Sequence, residues 1–375
     1  MKGTLRREVI APLAIGIAAC GLTLASAIDN PHRALVGWIA AYGLAAATVL
    51  AALILLMVLH LTGARWWLVL RPIFGSVAGT APLLVLLFIP IGAAFSLAYP
   101  WASPPASDLP QITADALEHQ RTWNHGAFFL ARSAIYLATW TTLSVLLRRA
   151  KDAKRERVIS AVGLPVLGFT VTFAAFDWLM SLVPGWTSNV FGLYFFTSGL
   201  VSAISVIAIA AWIAERSGLA DLRPDHIHAI GRLLLMAVIL WAYIAFFQLL
   251  LIWIANLPAE AVFYGARAEG GWVPVGVLLF AGRFVFPLFA LLSRAIKRSS
   301  RMLAAVAAWL LAMTMVDFCW LTLPSLATGL AAADILPFIG TGALLWAYGV
   351  HLTMKGVVLP APVDVREEAL RYRSP

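Results

Sequence analysis

Four ionisable residues of this 375-residue chain lie inside long apolar stretches: Arg132, Asp177, Arg283 and Asp317. An ionised side chain at the centre of a bilayer costs about 2.5–3.5 kcal/mol on insertion scales, so each should face the protein interior and find a partner. The simplest arrangement pairs Arg132 with Asp177 and Arg283 with Asp317. Such pairs serve one of two ends. They fix helix register as satisfied ion pairs, or a carboxylate that desolvation pushes towards its protonated form takes and releases protons.

Tyr136, Ser181 and Gln248 lie at comparable depths, as do Tyr243, Asn256 and Thr314. One or two hydrogen-bonding groups in an otherwise apolar cleft suffice to hold a quinone headgroup. The same inventory suits ordinary hydrogen bonds between helices. Other chemistries find little support. His32, His119 and His125 fall in outer segments, and His60, His226, His228 and His351 fall at or beyond inner helix ends, so no pair reaches the midplane to ligate an embedded haem. Cys20 and Cys319 are far apart and set in apolar runs, without the clustered thiolates of zinc or iron–sulfur centres. There is no Cys-x-x-Cys-His and no glycine-rich phosphate loop. No covalently bound cofactor is expected.

The elements that position these groups are set by composition. With 62% hydrophobic and 12% charged residues, the chain is too apolar for a soluble domain. Apolar runs long enough to cross a bilayer occur near 9–28, 34–61, 79–99, 127–147, 158–182, 190–214, 230–256, 272–292, 303–323 and 335–352. An all-α, polytopic membrane protein of about ten transmembrane helices follows. The net charge of +9 belongs to the segments between spans, a topology signal, so no nucleic-acid partner is implied. One side receives 22 of the 27 basic residues, including the cluster Arg148, Arg149, Lys151, Lys154, Arg155 and Arg157, and the other only Arg33, Arg121 and Arg267. Cytoplasmic loops are the ones enriched in Lys and Arg, which places both termini on the cytoplasmic side of a cell inner membrane. Lys2 to Arg7 ahead of an apolar stretch could pass for an export signal, but nine further spans follow, and an ordinary first helix is the better reading.

Phe176–Asp177–Trp178–Leu179 with Pro184 is echoed by Val316–Asp317–Phe318–Cys319 with Pro324, and each preceding span carries its arginine. Arginine then aspartate therefore occurs twice, four helices apart, as in parallel repeats. The organisation expected is a first helix over 1–33, a four-helix bundle over 34–189, a second over 190–330, and a last helix with a tail over 331–375.

The run FDWLMSL (Phe176–Leu182) with Pro184, Trp186 and VFGLYFF (Val190–Phe196) is similar to a signature of the ActF-type membrane subunits of alternative complex III, within the NrfD and polysulfide-reductase membrane-subunit family. WAYIAFF (Trp241–Phe247), Gln248, Leu251–Trp253 and Asn256–Pro258 resemble that group's seventh helix. Phe128–Arg132 and Phe284–Arg294 fit as well, so the resemblance covers most of residues 120–325. It implies two four-helix bundles with a peripheral helix at each end of the chain. The activity it implies is quinol oxidation in an electron-transport chain, a quinol:cytochrome c oxidoreductase. Implied partners are a homologous ActC-like membrane subunit, iron–sulfur and c-type haem subunits, quinone and lipid. A chain of this type contacts quinone, carries part of a proton route, or braces the assembly.

Departures from the pattern are specific. Val183 and Gly185 replace an acidic residue and a histidine, Arg283 stands for a histidine, and Thr314 for an arginine. Because Asp177 keeps its motif and Asp317 faces a permanently charged arginine, Asp177 is the expected proton carrier and Asp317 the structural partner. A secondary transporter and an NrfD-like anchor of another reductase are the alternatives.

Overall fold

The computed structural model describes residues 2–103, 111–269, 271–326, 331–356 and 369–373; most of the expected tail, 357–368, lies outside the described residues. Among these, ten helices are long and apolar enough to cross a membrane: Glu8–Asp29, Pro31–Thr62, Trp66–Ala98, Gly126–Arg149, Ala153–Leu182, Phe191–Arg216, Pro224–Ala255, Trp272–Leu292, Ser300–Leu326 and Ala333–Met354. They are called the first to tenth spans below. The chain is an all-helical, multi-pass membrane protein. Helices are the natural outcome, since lipid offers the backbone no hydrogen bonds and each segment must satisfy its own.

Span ends follow local chemistry. Asn30 caps the second span by accepting from the Arg33 N–H at 3.0 Å, with Pro31 at the first helical position. Gly63 ends that span at φ +63°, a left-handed conformation open to glycine. Asp152 caps the fifth span through the Arg155 N–H at 2.8 Å. The third span begins at Trp66, earlier than the apolar run near 79 suggests, because a 3-10 turn and a short helix over Arg71–Ala78 lead into it. Arg71 is thereby drawn into the fold.

The second to fifth spans close a four-helix ring, and the sixth to ninth close another. The second and sixth spans form the seam between them. Close approach there depends on small residues: a Cβ on Gly199 would sit 2.2 Å from the Ala47 carbonyl oxygen. Gly43 of the second span receives both motif-bearing helices, Leu179 from the fifth and Phe318 from the ninth.

The first and tenth spans are peripheral, and they lie against each other on one side of the molecule, resting on the second span. Gly16 meets Leu344 and Gly340 meets Cys20 along their contact. Arg33 and Asp334 join the second and tenth spans in a two-pronged ion pair of 3.0 and 2.6 Å. Large apolar side chains such as Phe169, Trp253 and Phe289 face outward, as lipid contact requires. Tryptophans near span ends often sit in an interfacial belt, but here Trp67, Trp101, Trp186 and Trp272 are buried, while Trp123 is exposed.

Candidate functional site

Arg132 is the seventh residue of the fourth span, and Asp177 lies near the end of the antiparallel fifth, so the two meet at one level. Arg132 donates from Nε to Asp177 Oδ2 and from Nη2 to Oδ1, both at 2.8 Å, the two-pronged geometry that suits guanidinium and carboxylate. Its remaining donors reach the Trp123 carbonyl at 3.1 Å and Asn124 Oδ1 at 3.0 Å. The Tyr136 hydroxyl donates to Oδ2 at 2.9 Å. The guanidinium also stacks on Phe128 and Trp123, 4.2 and 4.7 Å from the ring centres. Every group in this first centre is satisfied. Ser181 takes no part in the carboxylate's shell, because its hydroxyl donates to the Asp177 backbone carbonyl at 2.6 Å.

The second centre is built differently. Asp317 and Arg283 are both fully buried and paired through Arg283 Nη1 and Asp317 Oδ2. Asp317 also accepts from Tyr194 at 2.5 Å and Ser198 at 3.1 Å, both on the sixth span. Arg283 lies over the Trp241 ring at 4.0 Å, but its Nε and Nη2 find no acceptor among the described residues. Gln248, on the same helix as Trp241, donates to the Tyr264 hydroxyl at 3.4 Å and leaves its Oε1 without a donor. The indole N–H groups of Trp241 and Trp320 are likewise unpaired. Unmet hydrogen bonds of this kind, in a buried setting, mark a place where a water or ligand would be welcome.

Depth separates the centres further. Arg283 is the twelfth of the eighth span's 21 residues, mid-span and not in the outer part where Arg132 sits. It falls within a π-helical segment, Leu279–Val285. Pro287 has no N–H to offer the Arg283 carbonyl four residues back, and the wider turn accommodates it. The Gly282 carbonyl bonds instead to Trp309 Nε1 at 2.6 Å.

Beside the second centre, Arg267 caps the end of the ninth span by donating to the Trp320 and Leu321 carbonyls at 2.9 and 2.7 Å. Burial pushes its pKa down to about 9, which still leaves it charged at neutrality. The neighbouring Tyr264 hydroxyl is pushed up to about 12, again by burial, and stays protonated.

Each sequence-predicted pair therefore forms, and Tyr136 joins the first. Gln248 reaches the neighbourhood of the second through Tyr264. Of the other polar groups, Tyr243 is exposed on the lipid-facing surface, Thr314 donates to its own helix at Leu310, and Asn256 caps the seventh span at φ 47°. Tyr194, Ser198, Tyr264 and Arg267 escaped the sequence reading. Tyr194 lay in plain view within VFGLYFF, but only the packing of the sixth span on the ninth reveals its partner. Among the described residues no group of three or more His, Cys, Asp or Glu converges as metal ligands would. No protein-family model matches this chain, and no curated protein matches it.

Proposed function

We propose that this chain is a membrane subunit of a quinol-oxidising respiratory complex of the quinol:cytochrome c oxidoreductase type, with electrons carried by other subunits. The observation that carries the reading is one buried arginine–aspartate–tyrosine centre in each four-helix ring, set within the motifs that resemble ActF-type subunits. The first centre, closed on itself, acts as a brace. The second, mid-span and with donors and an acceptor still open, is where quinone contact or proton exchange takes place. The partners are an ActC-like membrane subunit and iron–sulfur and c-type haem subunits. The basic ends of the spans face the cytoplasm, and both termini lie on that side of the inner membrane.

The test is purification of the chain from its native membrane in mild detergent, followed by haem staining and identification of what elutes with it. Co-elution with c-type haem and iron–sulfur subunits is expected. Elution without any redox-bearing partner would overturn the assignment.

A further inference from the structure

At the basic-rich end of the first bundle, a separate polar cluster forms where the second, third, fourth and fifth spans converge. Glu156, one turn into the fifth span, is buried and paired at Oε1 with Arg71 of the third. His60, near the end of the second span, places Nε2 3.7 Å from Glu156 Oε2 and Nδ1 3.1 Å from Ser160 Oγ. Sequence position alone suggests an interfacial histidine, yet His60 is buried among these groups.

Beside the cluster is a cavity of about 30 Å³, lined by His60, Arg71, Ser144, Arg148 and Glu156 among others. Arg148 Nε is buried without an acceptor among the described residues. The glycine at 79 matters to this geometry, because a Cβ there would come within 3.2 Å of Arg148 Cδ and 2.7 Å of the Gly75 carbonyl oxygen. A cavity larger than about 10–15 Å³ with two to four polar partners holds a water. The 3.7 Å gap between His60 and Glu156 is too long for a direct hydrogen bond and suits a shared one.

We propose that this cavity is a proton-exchange site. A water held by Arg148 Nε, His60 Nε2 and Glu156 Oε2 connects carboxylate and imidazole to the aqueous phase at the basic-rich face. One proton arrives from that phase and resides on Glu156 or on His60; only O–H and N–H bonds form and break, and no oxidant or reductant is needed. The charges facing Glu156 are Arg71 from the third span, His60 from the second, Arg148 from the fourth across the cavity, and Asp152 from its own helix cap. Arg71 pairs with the carboxylate, Arg148 lines the cavity beside it, and His60 supplies the second proton acceptor. The site goes beyond the quinol reading and stands without it, since it needs only the fold.

Infrared spectroscopy of the full chain in lipid nanodiscs, titrated from acid to alkaline in water and in heavy water, tests the site. A titrating carboxylic-acid band is expected that shifts in heavy water and vanishes in Glu156→Gln. In His60→Phe its midpoint should move by about one pH unit or more, because a coupled group has been removed. If Glu156→Gln does not fold, Glu156→Asp should return the band at a shifted frequency. Identical titrating bands in wild type and the Glu156 variant would overturn the proposal. So would a Glu156 band that fails to shift in heavy water, since the site would then be closed to solvent.

Discussion

At the scale of single residues, the two centres share their chemistry and differ in how completely it is satisfied. Arg132 places all its nitrogen donors on oxygen, and Asp177 gains Tyr136 as well. Removing one partner of such a buried pair strands the other, a loss of about 3–5 kcal/mol, whereas apolar replacement of both costs much less. Arg132→Met and Asp177→Leu should therefore each lower stability by about that amount, and the double variant by distinctly less than their sum, measured by denaturant unfolding in detergent micelles. The pairs themselves were legible because charges are rare in apolar helices and must be matched. By its intact motif alone, Asp177 is the expected proton carrier. The geometry weighs the other way, because the unmet donors and acceptor surround Arg283 and Gln248. No motif conveys which hydrogen bonds remain open after packing.

At the scale of elements, the span pattern was legible and the irregularities were not. Each of the ten spans overlaps one of the apolar runs read from the sequence, since hydrophobic length is a property of each segment alone. The early start of the third span was hidden by Arg71, Pro72, Gly75 and Gly79, residues that read as a connection until Glu156 is seen to receive Arg71. The π turn at Arg283 was equally hidden, although Pro287 four residues on is a signal for it. The inward turn of Trp67, Trp101, Trp186 and Trp272 arises from stacking such as Trp186 on Phe263, at 4.0 Å between ring centres. The seam between the second and sixth spans has no slack at Gly199, whose would-be Cβ meets backbone and not a movable side chain. Gly199→Ala should push these helices apart and cost about 1–3 kcal/mol, read as a lowered unfolding midpoint. An unchanged midpoint would mean the seam is looser than its distances indicate.

At the scale of the whole molecule, the two rings meet on one seam, and the two terminal spans pair beside it. That pairing joins the two ends of the chain, and nothing local in either apolar stretch announces it. Because a Cβ at position 340 would lie 2.7 Å from Cys20 Sγ, Gly340→Cys should form a disulfide with Cys20 under mild oxidation, identified by mass spectrometry of the linked peptides. Failure to cross-link in folded protein would separate the terminal helices. A reporter fused within Arg148–Arg157 should register cytoplasmic and one within Trp101–Arg121 periplasmic, following the basic partition; the reverse result would invert the proposed orientation.

The proposed division of labour between a bracing centre and a working one is decided most directly by quinol turnover of the intact complex carrying Asp177→Asn or Asp317→Asn. Turnover is measured on matched amounts of assembled complex, so that any loss of stability is set apart from loss of activity. Asp317→Asn should slow quinol oxidation by about tenfold or more, equivalent to about 1.4 kcal/mol or more in barrier, while assembled Asp177→Asn stays within about twofold of wild type. Near-normal turnover for both variants, or a larger loss for Asp177→Asn, would contradict the assignment of the working site to the second centre.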